Sequence, residues 1–285
     1  SNGKKYGQIV FLAGGAGSGK GFAATNFMEK EKFKVRDVDE WKKTFQAIAD
    51  IMDTPEKYAR MRRAGSKIPK GEYAEIKALD MTQSSDVAKL HMFIKKLGLK
   101  DKTLDVMLGQ LKDRKKLPNI MFDITAKETK DVQQFMPRLL KAGYNPANIH
   151  LVWVLTNYNI AIKQNKNPGR GRVVPDDIML QTHEGASETV YSYVTGKGKR
   201  MAINGEIHVI LNNQKNTVYF EPSGSDRTSK ISGEKNSAVV KDFKYLTLKK
   251  RGKPMTKEKD VMRSLLDWVV ENIPKSDFQK SLAGK

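Results

Sequence analysis

The stretch from residue 8 to residue 27 constrains the fold more than any other part of the sequence. It starts with an apolar run of strand length at residues 8–13, passes through a glycine-rich turn and ends in a segment compatible with a helix. The turn matches the pattern G-x-x-x-x-G-K, and its residues are Gly14, Gly15, Ala16, Gly17, Ser18, Gly19, Lys20 and Gly21. A strand, such a turn and a helix in this order predict a phosphate-binding loop rather than a flexible glycine turn.

The residue types of this turn explain how it would hold phosphate. Glycines let the backbone fold tightly and direct successive N–H groups inward. The following helix adds the positive end of its dipole, and Lys20 supplies a cation for the β- and γ-phosphates. We therefore predict that residues 14–21, together with Phe22, bind a nucleoside triphosphate, ATP.

Position 21 departs from the usual motif, in which a Ser or Thr hydroxyl binds magnesium. Gly21 stands there, and the loop as a whole resembles that of adenylate kinase and its nucleotide-kinase relatives, which also carry Gly-Lys-Gly. A Thr follows in those enzymes, whereas this chain has Phe22. The resemblance implies that Mg²⁺ would be held mainly through water and an acidic residue elsewhere, which suits an ion that keeps several of its waters.

Composition limits the classes of protein to consider. The 285 residues suffice for one large α/β domain or two small ones. No apolar run approaches the ~20 residues that span a bilayer, and no secretory signal is visible, so we expect a cytoplasmic protein without a membrane partner. Cysteine is absent, which excludes thiolate metal sites, and the four histidines are too far apart for a zinc site.

The net charge is +20, from 52 Lys and Arg against 32 Asp and Glu. Such an excess attracts polyanions, and it also suits an enzyme that handles several phosphates at once. A basic surface that only confers solubility is the third possibility. One local cluster lies on the segment after the second predicted strand and comprises Arg60, Arg62, Arg63, Lys67 and Lys70. It would meet an anionic acceptor or form a solvated face.

The apolar pattern predicts an α/β fold: a doubly wound parallel sheet of about five strands, of the P-loop NTPase type. Four further strands are expected near residues 32–38, 117–123, 149–155 and 207–211, with a hairpin formed by 217–220. We divide the chain into a core (1–43 and 117–220), a helical insertion (44–116) that would bind the acceptor, and a linker with a basic C-terminal extension of strand and helix (221–285).

Carboxylates follow two of the predicted strands at the edge where the phosphate loop lies. Asp37 and Asp39 follow the second strand, where they would take a proton from a hydroxyl, hold a magnesium water or cap the next helix. Asp123 ends the third strand and resembles a Walker B Asp, although it could also cap a turn. We predict Asp123 and Asp37 as ligands of magnesium through water.

A second resemblance rests on the order of these features. A strand, a phosphate loop, a helix and a second strand ending in Asp39-Glu40-Trp41-Lys42 are similar to the zeta-toxin group of kinases. In that group the Asp is the general base, so the resemblance implies this role for Asp39. It covers about residues 7–215, interrupted by the helical insertion.

A Gly- and Pro-rich segment with two arginines follows the fourth strand. Arg170 and Arg172, ahead of Val173-Val174-Pro175, resemble the lid of zeta-like kinases. An arginine fork donates bidentately to phosphate oxygens and keeps its charge, so a closing lid would bring both onto the γ-phosphate. An exposed basic loop is the alternative. By the same resemblance, Asn212 and Asn213 after the fifth strand would lie near the adenine.

Together these features predict a kinase that transfers the γ-phosphoryl group of ATP to a hydroxyl, with Lys20, Asp39, Arg170 and Arg172 as catalytic residues. The acceptor would be a hydroxyl of a nucleotide, a nucleotide sugar or a related metabolite. In a variant of this hypothesis the hydroxyl belongs to nucleic acid, either at a polynucleotide end or on a hydroxymethylated base of DNA. The charge favours the nucleic-acid variant, and bacteriophages encode zeta-like kinases of that kind; the location would then be the host cytoplasm. The alternative is a nucleotide-dependent nucleic-acid-binding protein with little transferase activity.

Overall fold

A computed structural model of the protein describes residues 6–109, 111, 116–167, 171–196, 203–212, 219–220, 238–239 and 243–274. Within these ranges, residues 38–41, 100, 219–220, 238–239 and 243 are described by their backbone alone. Arg170, Asn213 and residues 217–218 lie outside the described residues.

The described part of the chain contains eight strands. They are β1 (Ile9–Ala13), β2 (Lys34–Arg36), β3 (Ile120–Ile124), β4 (Ile149–Thr156), β5 (Ile207–Asn212), β6 (Tyr219–Phe220), β7 (Ala238–Val239) and β8 (Phe243–Lys249). The helices are α1 (Lys20–Phe27), α2 (Val38–Ile48), α3 (Pro55–Arg63), α4 (Glu72–Ala78), α5 (Ser84–Leu97), α6 (Leu99–Gly109), α7 (Lys130–Gln133), α8 (Met136–Ala142), α9 (Tyr158–Asn165), α10 (Asp176–Val194) and α11 (Lys259–Asn272).

The main sheet has the strand order β2-β3-β1-β4-β5-β8. Its first five strands are parallel, and β8 runs antiparallel to β5. β1 lies in the middle, where Leu12 is aligned with Asp123 of β3 and with Val152 of β4. The carboxyl ends of β1, β3 and β4 therefore share one edge, and the glycine-rich turn leaves β1 at that edge. The predicted mixed α/β fold is confirmed.

Both faces of this sheet are covered, which explains the near-continuous apolar runs in its strands. One face carries Phe11, Phe122 and Trp153, which belong to the largest apolar core together with residues of α8, α10 and α11. The other face carries Val10, Leu12 and Val154 beside the α1 alanines Ala23 and Ala24. α1 is thus fixed behind the loop by small residues that let it approach the sheet closely.

Between β2 and β3 the described elements are helical, as predicted. Helices α2 to α6 enclose an apolar cluster of their own, whose buried members include Phe45, Ile68, Tyr73, Leu90 and Ile94. Phe45 and Tyr73 meet edge to face with ring centroids 6.1 Å apart. Treating this region as a separate acceptor-binding subdomain stays a prediction.

The pairing of β5 differs from the predicted hairpin. Tyr219 and Phe220 pair with Val239 and Ala238, while the open edge of β5 is covered by β8 from the C-terminal segment. In β8, Leu246 and Leu248 are buried and Lys244 and Tyr245 are exposed, so this strand fits an edge position with one face on the core. The sheet thereby gains a sixth strand. No helix in the described ranges has the length and apolarity needed to cross a bilayer.

Candidate nucleotide-binding site

The glycine-rich turn is anchored at its first residue. The Gly14 N–H donates to the Thr125 carbonyl across 3.1 Å, which joins the loop to the end of β3. A Cβ on Gly14 would overlap the backbone carbonyl oxygen of Val154 and lie 2.7 Å from Ser18 Oγ. Because a backbone atom cannot move aside as a side chain does, glycine is required here for the turn to sit on the sheet.

Residues from the ends of β4 and β5 support the loop from below. The Thr156 hydroxyl donates to the Ser18 carbonyl (2.5 Å), and Asn212 Nδ2 donates to Thr156 Oγ1 (3.2 Å). Asn212 is 1% exposed and does not line the cavity beside the loop. In this structure the Asn212 amide holds the loop, and its predicted contact with the adenine stays a prediction. Asn213 lies outside the described residues.

Helix α10 also contacts the glycine-rich loop. Ala16 donates its N–H to Thr182 Oγ1 (3.4 Å), and its carbonyl lies 2.7 Å from His183 Nε2. A carbonyl only accepts, so Nε2 carries the proton. The His183 ring packs so closely on Gly15 that a Cβ there would lie 2.5 Å from it. Burial lowers the pKa of His183 to about 4, which keeps the imidazole neutral. The bond to Ala16 opposes this fall, and the positive charge of Lys20 adds to it.

A cavity of about 580 Å³ opens in front of the loop. Its lining residues are Ala16, Gly17, Ser18, Gly19, Lys20, Gly21, Asp37, Asp123, Gln164, Asn167 and Arg172. The structure thus brings the loop together with two predicted carboxylates and one predicted lid arginine, which come from β2, β3 and the segment after α9. Gly14 and Gly15 lie behind this surface, where their carbonyls face Lys20.

Lys20 lies at the base of the cavity. Its ammonium donates to the carbonyls of Gly14 (2.9 Å) and Gly15 (3.2 Å) and lies 3.6 Å from Asp123 Oδ1. Burial raises the pKa of Asp123, the charge of Lys20 opposes this rise, and the nearby Asp37 adds to it. A half-buried carboxylate in this position gains from a cation in addition to Lys20.

Asp37 is the carboxylate on which the charges of the site converge. Burial lowers the pKa of Lys42 and that of Arg172, and the negative charge of Asp37 raises both. Asp37 is therefore close enough to act on the charges of Lys42, Arg172 and Asp123. Asp39 belongs to the first turn of α2, and its side chain is outside the description, so its predicted role stays a prediction.

The donor set fits magnesium held through water. Asp37 and Asp123 both line the cavity beside the loop, and carboxylate oxygens are ligands that Mg²⁺ prefers. Within the described ranges no group of three or more His, Cys, Asp or Glu residues is placed to enclose a metal. Two carboxylates with water and phosphate oxygens are the usual supply for this ion.

The start of α1 shows what the departures at positions 21 and 22 mean. A Cβ on Gly21 would meet no atom within 4 Å, so this position has room for the hydroxyl side chain that the usual motif carries. The Phe22 ring lies edge to face against Phe27, with centroids 6.2 Å apart, and does not line the cavity. A contact of the Phe22 backbone N–H with the nucleotide stays a prediction.

Two sets of hydrogen bonds fix the backbone that follows Arg172. Asn165, which is fully buried at the end of α9, donates from Nδ2 to the Val174 carbonyl (2.7 Å) and accepts from the Val174 N–H (3.0 Å). The Val173 N–H donates to the Met81 carbonyl between α4 and α5 (3.1 Å). These bonds fix the backbone next to Arg172 and connect it to the helical region. Arg170 lies outside the described residues.

Several residues that shape the site were not identified from the sequence. No local motif marks these roles of Thr156, Thr182, His183 and Asn165 in the sequence. His183 and Ala16 are 167 positions apart, and Thr156 and Ser18 are 138 apart. Each is of a common residue type, so only the three-dimensional fold reveals the contact.

Comparison with known proteins finds distant similarity in structure. No protein-family model matches the chain, and no curated protein matches it in sequence. Similar solved structures include a chain of the PezAT chromosomal toxin-antitoxin system of Streptococcus pneumoniae, with 12% identity over 74% of this chain and 71% of that chain and a TM-score of 0.37. The AvrRxo1-ORF1:-ORF2 complex with ATP gives 11% identity over 96% and 74%, with a TM-score of 0.45.

A third similar structure is deoxyadenosine kinase from M. mycoides with bound dATP, with 15% identity over 67% of this chain and 87% of that chain and a TM-score of 0.31. A toxin–antitoxin protein and a kinase are thus among the structures that this chain is similar to. Similarity at this level carries no argument about function, which rests on the geometry of the cavity.

Proposed function

We propose that this protein is an ATP-dependent phosphotransferase that moves the γ-phosphoryl group of ATP to a hydroxyl of a nucleotide-like or nucleic-acid acceptor. One observation carries the proposal. A single cavity brings the glycine-rich loop and Lys20 together with Asp37, Asp123 and Arg172. Phosphoryl transfer needs little from a protein beyond such positioning and charge.

Each group has a role that follows from its place. The loop N–H groups and Lys20 bind the β- and γ-phosphates. When the phosphates bind, Lys20 gives up its contacts with the Gly14 and Gly15 carbonyls. Arg172, which lines the cavity, donates to the γ-phosphate as negative charge moves during transfer. The resemblance to zeta-like kinases supports the same role for Arg170. Asp123 and Asp37 would hold Mg²⁺ through its waters, and the ion would neutralise phosphate charge.

The general base must lie within hydrogen-bond reach of the acceptor hydroxyl. It accepts the hydroxyl proton while the acceptor oxygen bonds to the γ-phosphorus and the bond to the β–γ bridging oxygen breaks, which releases ADP. The resemblance to zeta-like kinases supports Asp39 in this role. Asp37 precedes Asp39 by two residues and lines the cavity, so it is the other candidate for the general base.

We also propose that the acceptor enters between the loop and the helical region α2–α6. The bond from Val173 to the Met81 carbonyl supports this, because it joins the lid to that region beside Arg172. An acceptor that contacts the helical region is thereby adjacent to the groups that act on the γ-phosphate.

Transfer from radiolabelled ATP to a panel of nucleosides, nucleotide sugars, modified DNA and oligonucleotides tests the proposal. We expect Lys20→Ala to abolish transfer and to weaken ATP binding, because it removes the cation for the β- and γ-phosphates. Loss of the base should lower the rate by about 10²–10⁴ with ATP affinity retained. Asp39→Asn and Asp37→Asn, measured in parallel over a range of Mg²⁺ concentrations, separate loss of the base from loss of a magnesium ligand.

Lys163→Ala is the matched control, since Lys163 is an exposed lysine of α9 that does not line the cavity. It should leave transfer unchanged. If the wild-type protein binds ATP but transfers phosphate to no acceptor, and binds nucleic acid in an ATP-sensitive way, the protein is a nucleotide-dependent binding module and the proposal is wrong.

A further inference from the structure

A strongly basic surface lies on the helical region, outside the cavity. Its members are the exposed side chains of Arg60, Arg62 and Arg63 on α3, and of Lys67 and Lys70 in the turn that follows. We call these five residues the basic edge. The sequence from Lys57 to Lys70 contains no Asp or Glu. Positive charge is therefore concentrated along this edge.

Among the described side chains, the basic edge has no ion-pair partner, in contrast to three lysines of the same helical region. Lys77 pairs with Asp50 (2.5 Å), Lys89 with Glu75 (3.7 Å) and Lys96 with Glu72 (4.0 Å). No carboxylate in the described part of the chain forms an ion pair with a member of the basic edge. Arg62 does donate to the Ser66 carbonyl (2.8 Å), which fixes its side chain but leaves its charge.

The chemistry of the edge fits phosphate better than a lipid bilayer. The apolar side of α3, with Tyr58 and Met61, packs into the cluster enclosed by α2 to α6. No large apolar side chain is exposed between residues 54 and 70, so nothing here would insert between lipid chains. Three of the five cations are arginines, whose planar forks match phosphate oxygens.

The basic edge is also connected to the wall of the cavity. Lys102 of α6, which is exposed as well, donates to the Ala64 carbonyl at the end of α3 (2.7 Å). The next residue, Thr103, accepts from Arg36 Nη2 (3.3 Å), and Arg36 directly precedes Asp37. α6 therefore joins the basic edge to the residue beside a cavity carboxylate.

We propose that the basic edge binds nucleic acid through its phosphates. This proposal deepens the proposed function and rests on it in one point, namely that a nucleic acid is an acceptor. Binding of the nucleic acid requires neither ATP nor phosphoryl transfer. Contacts of this kind are made to the backbone of the strand, so they carry little sequence preference and weaken steeply with salt.

Fluorescence anisotropy with a labelled oligonucleotide of about 20 nucleotides, single-stranded and duplex, at about 50–200 mM salt and without ATP, tests this. The variant is the triple substitution Arg60→Gln, Arg63→Gln, Lys67→Gln. Its control is the triple substitution Lys77→Gln, Lys89→Gln, Lys96→Gln. Both remove three positive charges from exposed positions of the same region, and the ion pairs lost in the control contribute little to stability.

We expect the basic-edge variant to bind at least about tenfold more weakly and to lower the slope of log K against log salt by about 2–3. The control should change affinity less than about twofold. Equal losses in both variants would assign binding to the overall charge and overturn the proposal, as would wild-type protein that fails to bind the oligonucleotide. Binding to anionic vesicles that is lost in the edge variant, with oligonucleotide binding intact, would assign the edge to a membrane surface.

The same measurement in a Lys20→Ala background separates this proposal from the proposed function. Oligonucleotide binding should persist there. Edge-dependent binding without transfer in the wild type would refute only the kinase; transfer to a small acceptor without edge-dependent binding would refute only the nucleic-acid surface. Circular dichroism melting curves establish that each variant is folded.

Discussion

His183 shows how a single buried side chain supports a backbone loop. Its Nε2 bonds to the Ala16 carbonyl, its ring packs on Gly15, and its edge meets the ring of Tyr158 with centroids 5.7 Å apart. A neutral imidazole is essential to this arrangement, since a second ring proton would place a positive charge in the core next to Lys20. Protonation of His183 and folding are therefore coupled.

We predict a pH dependence of stability from this coupling. Burial lowers the pKa of His183 to about 4 in the folded protein, whereas the ordinary pKa of a histidine is 6.5. Between these values the unfolded chain binds more protons, so stability present above pH 6.5 is lost as the pH falls through 6.5 toward 4. The difference corresponds to on the order of 3 kcal/mol.

Urea unfolding of wild type and His183→Phe at several pH values between about 4.5 and 7.5 measures this. The variant should be less stable at pH 7, because the Ala16 carbonyl loses its partner, and its free energy of unfolding should fall less on acidification. His150, whose pKa burial also lowers to about 4, is present in both proteins and cancels in the comparison. Parallel pH curves would contradict the prediction.

Among the elements, the segment between α9 and α10 depends most on one residue. Asn165 forms two bonds with the backbone of Val174, which is itself buried, and thereby positions Arg172 at the cavity. Asn165→Ala would leave a buried N–H and a buried carbonyl unpaired, at a cost of about 1–3 kcal/mol each.

We predict that Asn165→Ala lowers kcat by about tenfold or more while the KM for ATP changes little, because Lys20 and the loop remain in place and a misplaced Arg172 costs only charge stabilisation in transfer. Steady-state kinetics with the acceptor found in the screen measure both constants. Asn145→Ala is the control, since Asn145 caps a turn before β4, away from the cavity. A raised KM with kcat unchanged would show that Asn165 acts on nucleotide binding instead.

Elements also differ in how well their sequence predicts them. β1, β3, β4 and β5 are apolar runs because they are buried on both faces, and each was located from that pattern. The predicted hairpin between β5 and residues 217–220 is wrong. Alternation shows that β8 has one buried face but not that it is the strand that joins β5. Likewise the glycine-rich loop is recognised from consecutive residues, whereas the contacts of His183 and Asn165 become visible only in the folded structure.

On the scale of the whole molecule, β8 and α11 are continuous with the core rather than an appendage. Leu248 is fully buried in the same apolar core as Phe11 and Trp153, and Asn272 Oδ1 accepts from Asn157 Nδ2 (3.0 Å) next to the loop-supporting Thr156. Packing of this kind predicts that the C-terminal strand and helix unfold together with the parallel sheet.

Leu248→Ala should lower the free energy of unfolding by about 2–5 kcal/mol, since it leaves a cavity in the core. Leu140→Ala, at a position that is 40% exposed, is the control and should cost much less. Urea unfolding followed by circular dichroism and tryptophan fluorescence is the measurement. If the variant instead loses its C-terminal segment in a separate early transition, the division at residue 221 describes a folding unit.

The position of β8 at the edge of the sheet has a consequence for biosynthesis. Asn212 ends β5, and the strand that pairs with it begins only at Phe243. Until β8 has left the ribosome, the open edge of β5 is exposed to any passing strand. A nascent chain of this protein is therefore more prone to aggregate before β8 emerges than after it, and chaperone capture in that interval should protect it.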